Sequence, residues 1–238
     1  MRPDILKIFI GYDPVESVAW HTMAHSIFER SSMPVSIIPL NLRNLNGIYS
    51  RNRDPRQSNE FSFSRFLVPY LCNYEGFAAF FDCDMMVRTD ISKIFDEGYK
   101  DADKAIHVVK HDYAPKNTIK FLNNVQYSYP RKNWSSVVLW NCNHKSNRIV
   151  TPEFVNFEAP ETLHRFLWLK DDEIGSLDIK WNWLVGEYEN PPPDVFNVHW
   201  TVGGPYFNEY SDADFSSEWF KENERMNFCA QKIIKVNS

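Results

Sequence analysis

Residues Phe77-Ala78-Ala79-Phe80-Phe81 are apolar at every position, follow Gly76, and end at Asp82-Cys83-Asp84. A run without polar alternation fits a strand buried on both faces, as in a mostly parallel sheet covered by helices. The rest of the chain agrees with that reading. Lys7 to Tyr12 predicts a strand closed by Gly11 and Pro14, and Val15 to Arg30 has the helical spacing of Val18, Ala19, Thr22, Met23, Ser26 and Ile27. Val35 to Leu40 is a second strand between Pro34 and Pro39, and Asn41 to Asn59 reads as a surface loop with some local helix. Ser62 to Leu71 predicts a helix that Pro69 bends or shortens.

Further strands are expected at Ala105 to Val109, Ser136 to Trp140 and Val195 to His199, the last preceded by the extended spacer Pro191-Pro192-Pro193. Pro152 to Leu169 and Ser216 to Asn227 read as helical. Alternating strand and helix early, then irregular chain, predicts an α/β sandwich whose second half builds loops over one edge of the sheet. The expected organisation is one domain over 1–238. It has one half to about residue 110, a second over about 111–210, and a helical tail over 211–238.

A chain of 238 residues is long enough to bury a sizeable core. With 31 acidic against 26 basic residues and a net charge of −5, it lacks the clustered positive face that nucleic-acid binding needs. No apolar run approaches the ~18 residues of a membrane span. The start, Met1 to Asp13, reads as a first strand rather than a signal peptide. Cys72, Cys83, Cys142 and Cys229 form no C-x-x-C pair, so free thiols in a reducing cytoplasm are the expectation.

Two carboxylates, Asp82 and Asp84, directly after a buried strand stand where open α/β sheets bind ligands. Held together they repel unless a cation lies between them, and hard oxygen ligands suit Mg²⁺ or Mn²⁺. The alternative is one Asp capping a helix and one in solvent. A second feature is His199-Trp200-Thr201-Val202-Gly203-Gly204-Pro205, which follows another apolar strand and holds the chain's Gly-Gly pair. The His offers a nitrogen ligand, and adjacent glycines let backbone N–H groups approach phosphate oxygens. Separately these are a structural His and a plain turn; together they favour one metal-diphosphate site.

In this order the motifs resemble the nucleotide-sugar glycosyltransferases of the GT-A fold, family 8 above all. The series runs from the strand Lys7 to Asp13, through Phe63-Ser64-Arg65-Phe66-Leu67-Val68-Pro69 and Phe80 to Val87, to Trp134-Ser135-Ser136 with the strand that follows. It closes with Asp171-Asp172-Glu173-Ile174, Trp181-Asn182 and the His199 loop. The resemblance implies a Rossmann-like, mostly parallel sheet and a sugar transfer from a nucleoside diphosphate sugar to a hydroxyl acceptor, with retention of anomeric configuration. It implies Asp82, Asp84 and His199 as ligands of Mn²⁺ or Mg²⁺. Ile10, Gly11, Tyr12 and Asp13 then face the nucleotide base; Arg65, Asp82, Cys83, Ser135 and Ser136 face the donor; Gly203 and Gly204 hold the diphosphate. Asp171 and Asp172 take the place of a D-Q-D type segment beside the reacting carbon.

Three departures from the family pattern stand out. Tyr12 replaces an acidic residue that reads the uracil edge, although Asp13 is adjacent and the ring can stack on a base. The His199 loop has no Lys for the diphosphate, leaving Arg51, Arg53, Arg56 or Lys132 as sources of charge, each of them read first as a solvated surface residue. Asp172 replaces Gln, which makes it a stabilising or nucleophilic carboxylate. The acceptor, whether glycan, lipid-linked glycan or protein, is not readable, nor is the oligomeric state. Tyr113, Tyr127, Tyr129 and Trp134 are candidates for stacking on a sugar. The competing readings are a nucleotidyltransferase, which needs a basic Gly-rich N-terminal loop that Phe9 to Pro14 does not provide, and a non-catalytic sugar-binding module.

Overall fold

A computed structural model describes residues 4–54, 57–116, 119–125, 128 and 130–228, with backbone alone for 123–125. Arg56, Tyr127, Tyr129, Cys229 and the rest of the segment 229–238 lie outside the described residues. The chain forms β1 (Leu6–Gly11), α1 (Ser17–Arg30), β2 (Val35–Leu40), α2 (Val68–Leu71), β3 (Phe77–Phe81), β4 (Met85–Val87), α3 (Ser92–Lys100) and β5 (Ile106–Val108). There follow β6 (Ile119–Lys120), β7 (Asn124–Val125), β8 (Val137–Asn141), α4 (Pro152–Phe157), α5 (Pro160–His164), β9 (Ile174–Ser176), β10 (Trp183–Leu184), β11 (Asn197–His199) and α6 (Ser216–Met226).

The main sheet has the order β2-β1-β3-β8-β5-β9. The pairs β1/β2, β1/β3 and β5/β9 are parallel, while β8 runs antiparallel to both its neighbours, so it alone is reversed. The fold is α/β with a mostly parallel sheet flanked by helices, as expected. Residues 78–81 of β3 are fully buried, which is why the strand carries no polar alternation. Phe66, Phe80, Trp140 and Phe166 belong to the core around it. Burying each such ring contributes about 1.5–3 kcal/mol of transfer free energy.

A second, three-stranded sheet of order β10-β11-β4 continues the chain beyond Asp84. Here β4 and β11 are antiparallel, with Met85 opposite His199. This pairing sets the Asp82-Cys83-Asp84 turn beside the end of β11. The Phe80 to Val87 segment of the family series is thus the end of one strand and the whole of another, bent apart at the acidic turn. The expected helix over Ser62 to Leu71 is a 3₁₀ turn (Ser64–Leu67) running into α2, with Pro69 in the first turn, where a missing N–H costs nothing. The expected helix over Pro152 to Leu169 is α4 and α5, each begun by a proline. Strands β6, β7, β9 and β10 were not expected; they are two or three residues long.

Candidate metal and anion site

The carboxyl ends of β1, β3, β5 and β9 share one edge of the sheet with the start of the reversed β8, and the site lies on that edge. Asp82 continues the β3/β8 pairing through its N–H, which donates to the Ser136 carbonyl at 3.0 Å. The Asp84 carbonyl accepts from Trp200 N–H at 3.0 Å, tying the acidic turn to the residue after His199. As a result one ligand atom from each of Asp82, Asp84 and His199 lies within 4.8 Å of the others.

The tautomer of His199 follows from its neighbours. Its Nδ1 is 2.8 Å from Asn182 Oδ1, and Asn182 Nδ2 donates to Ser136 Oγ at 2.8 Å and to the Asn133 carbonyl at 3.3 Å. With the amide so oriented, Nδ1 carries the proton and donates, assigned from the network. Nε2 therefore turns its lone pair toward Asp84 Oδ1, 3.4 Å away. Asp82 Oδ1 and Asp84 Oδ1 are buried without a hydrogen bond among the described residues. Two carboxylates, one of them already paired with Arg65, and an imidazole nitrogen within reach of one another fit a divalent cation.

The electrostatics agree with this geometry. Burial pushes the Asp82 carboxyl up to about 6, with the charge of Asp84 adding and Arg65 opposing. Burial also pushes Asp84 upward, but His199 and Lys120 outweigh it and hold Asp84 below the usual carboxylate range. Arg65, itself buried, places Nη1 2.7 Å from Asp82 Oδ1 and donates from it to the Ser135 carbonyl at 2.9 Å. The rings of Phe61 and Phe80 lie 5.3 and 5.1 Å from its guanidinium carbon. Glu16, behind the acidic turn, is raised to about 8 by burial and by Asp84, and accepts from Tyr206 O–H at 2.5 Å.

The site opens into a cavity of about 380 Å³. Arg65, Asp82, Asp84, Ser135, Ser136 and His199 line it together. Ser135 Oγ lies 3.0 Å from Nδ1 of His164, a ring that burial holds neutral by lowering its pKa to about 3. Lys120, Lys132, His164 and Asn133 also reach the cavity. Of these the sequence singled out Lys132 alone, whose ammonium burial lowers to about 8. The irregular chain around Lys120 carried no signal, whereas Asn182 stood in a recognisable Trp-Asn pair without its role being legible.

Other expected residues take different tasks. Asp171 is 90% exposed and pairs with Arg131, and Asp172 is also exposed; neither lines the cavity. The reason is topological: both precede β9, whose carboxyl end, not its start, reaches the site edge. Asp13 spends its two oxygens on the N–H groups of Val15 and Glu60, each at 3.0 Å, so they cap a turn instead of facing a base. Tyr12 meets Trp20 edge-on, Ile10 and Cys83 are core, and none of the three lines the cavity. Gly11 admits the Phe61 ring, which would lie 2.2 Å from a Cβ.

The Gly-Gly pair likewise serves aromatic packing. A Cβ on Gly203 would stand 2.3 Å from the Tyr210 ring and one on Gly204 2.1 Å from Tyr206, and Gly203 N–H donates to the Trp200 carbonyl. Arg51 donates to the carbonyls of Val155 and Glu158, away from the cavity, and Arg53 lines a separate small groove. Asn133 Nδ2 donates to the Tyr113 hydroxyl oxygen and Trp134 Nε1–H donates to the His111 carbonyl, so both rings brace the wall of the site.

No protein-family model matches the chain. Among solved structures, it is similar to the bifunctional glycosyltransferase WbbM, with a TM-score of 0.64 and 12% identity over 99% of this chain and 52% of that one. It is also similar to the glycosyltransferase GlyE of Streptococcus pneumoniae TIGR4, with a TM-score of 0.63 and 13% identity over 98% of this chain and 63% of that one. The chain thus spans about half the length of WbbM and under two thirds of GlyE. For the galactosyltransferase LgtC in complex with donor and acceptor sugar analogs, the TM-score is 0.60 at 12% identity, over 94% of this chain and 97% of that one. At these identities the likeness establishes the GT-A type of fold and no more. A curated relative, Protein CDI of Arabidopsis thaliana, is 46% identical over 227 residues, covering 93% of this chain and 87% of its own. On that identity and coverage the chain belongs to the family of Protein CDI.

Proposed function

We propose that the protein is a glycosyltransferase of the family 8 kind, moving a sugar from a nucleoside diphosphate sugar, a UDP-hexose by preference, to a hydroxyl acceptor. The observation that carries this reading is the cluster of Asp82, Asp84 and His199 within 4.8 Å at the edge where a sheet of this type binds ligands, opening on a 380 Å³ cavity. Mn²⁺ or Mg²⁺ held there supplies Lewis-acid stabilisation of the diphosphate leaving group. Asn182 fixes the His199 ring, Arg65 offsets the charge of Asp82, and Ser135 and Ser136 offer hydroxyls along the wall. In the overall transfer the sugar C1–O bond breaks with its electron pair staying on the diphosphate. The acceptor oxygen bonds to C1, and its proton passes to the diphosphate or to solvent.

Retention of configuration follows from the family resemblance. The carboxylates that line the cavity besides the two ligands are Asp54 and Glu161, so the reading places stabilisation of a developing oxocarbenium there and not on Asp171 or Asp172. The test is release of nucleoside diphosphate from a panel of nucleotide sugars, with Mn²⁺ and with EDTA. Mn²⁺-dependent release from a uridine donor is expected, together with its loss in Asp84→Ala. A protein that releases no diphosphate from any donor, with acceptors present, is not a glycosyltransferase.

A further inference from the structure

The cavity contains a cation that the His199 loop does not supply. Lys120 ends β6, and its side chain lines the same cavity as Asp82, Asp84 and His199. The next residue locks it in place: Phe121 N–H donates to the Val202 carbonyl at 2.8 Å, and the Phe121 ring stacks on Phe207 at 5.2 Å and 19°. The 119–125 hairpin and the loop after His199 are thereby one unit, although they are far apart in sequence.

Among the described residues the Lys120 ammonium makes no hydrogen bond and no ion pair, whereas Arg65, also lining the cavity, is taken by Asp82. Burial lowers the Lys120 ammonium, and Asp84, Asp82 and Glu16 raise it, which places it beside the acidic turn without a direct contact. A half-buried ammonium that lines a cavity without an ion-pair partner favours an anionic ligand there. Asp82, Asp84 and His199 supply a second positive centre once they hold a divalent cation. Two positive centres in one cavity fit two linked phosphoryl groups better than one.

Resting on the glycosyltransferase reading, we infer that Lys120 binds the diphosphate of the donor, doing from the 119–125 hairpin what the loop of His199 cannot do for want of a basic residue. Because Phe121 is bonded to Val202, an anion that draws in Lys120 also holds the His199 loop. The diphosphate and the metal are then expected to bind cooperatively.

The experiment is titration of the Mn²⁺-loaded protein with UDP, GDP and inorganic pyrophosphate by calorimetry, with Mn²⁺ binding alone followed by electron paramagnetic resonance. Lys120→Met is expected to weaken UDP and pyrophosphate at least tenfold, to leave Mn²⁺ alone within twofold, and to be largely rescued by Lys120→Arg. If Lys120→Met loses the Mn²⁺ site, and so its fold there, Lys120→Gln is read by the same criteria. UDP affinity within twofold of wild type in a variant that still binds Mn²⁺ overturns the role of Lys120 and leaves the glycosyltransferase reading intact. A wild-type protein that binds none of the three probes removes both.

Discussion

Asn182 shows how one uncharged side chain decides what a site can hold. Its amide accepts from His199 Nδ1 and donates to Ser136 Oγ and the Asn133 carbonyl, so a single orientation satisfies all three. Without it, nothing selects the tautomer that turns Nε2 toward Asp84. Outer-shell partners of metal-ligating histidines typically contribute 10–100-fold to affinity. Asn182→Leu, close in volume, is therefore expected to lower Mn²⁺ affinity by about that factor without unfolding the protein. Calorimetry on the purified variant reads this directly, and unchanged affinity would show that His199 is oriented by other means. The candidate ligands Asp82 and Asp84 were legible in the sequence because they follow a strand that polarity alone identifies. Asn182 stood in the Trp-Asn pair of the series, but its role was not legible, since its value lies in contacts made across 46 residues to Ser136.

At the scale of elements, the long strands and the helices α1 and α6 were read closely, whereas α3 and several of the short strands escaped. Strands β1, β2, β3 and β8 each have five or six residues and clear turn signals at their ends. By contrast β4 has three residues, too few for a period to register, and although β11 falls within the expected Val195 to His199 strand, its pairing with β4, which brings His199 to the acidic turn, carried no sequence signal. The carboxylates Asp171 and Asp172 were misplaced for a related reason: the sequence does not show which end of a three-residue strand faces the site. The packing of α6 on α1 was also invisible, although both helices were expected. It centres on Glu222, which is buried and lies 2.7 Å from His25 Nδ1 and 2.6 Å from Arg30 Nη2. Burial pushes this carboxyl up, but Arg30 and His25 outweigh it and hold its pKa below the ordinary 4.5. Its stabilisation is thus complete above the unfolded pKa and is lost as pH falls through the folded value. Glu222→Gln is expected to cost roughly 3 kcal/mol near neutrality, as breaking a buried pair does, and progressively less below pH ~4.5. Urea unfolding as a function of pH checks both statements; a cost independent of pH would mean that packing, not charge, is what the variant loses.

Across the whole molecule, the site places a load on stability. Glu16 is buried with its pKa raised to about 8, from burial first and then the charge of Asp84. The native state therefore holds a proton that the unfolded chain gives up above about pH 4.5. Stability falls as pH rises from there through 8, because the native state binds more protons. Glu16→Gln keeps a neutral partner for Tyr206 and is expected to flatten that slope in EDTA, making the variant the more stable of the two at pH 8. Chemical denaturation at pH 6 and pH 8 measures it, and parallel slopes for the two proteins would place Glu16 outside the effect. The reversed direction of β8 has a separate consequence for anyone handling the protein. Its start stands at the cavity, so its end at Asn141 emerges on the opposite margin of the sheet, and the neighbouring Asn143 is exposed. That turn is the natural point of attachment for a fluorophore or a surface tether, since an anchored molecule would present its cavity to the solution unobstructed.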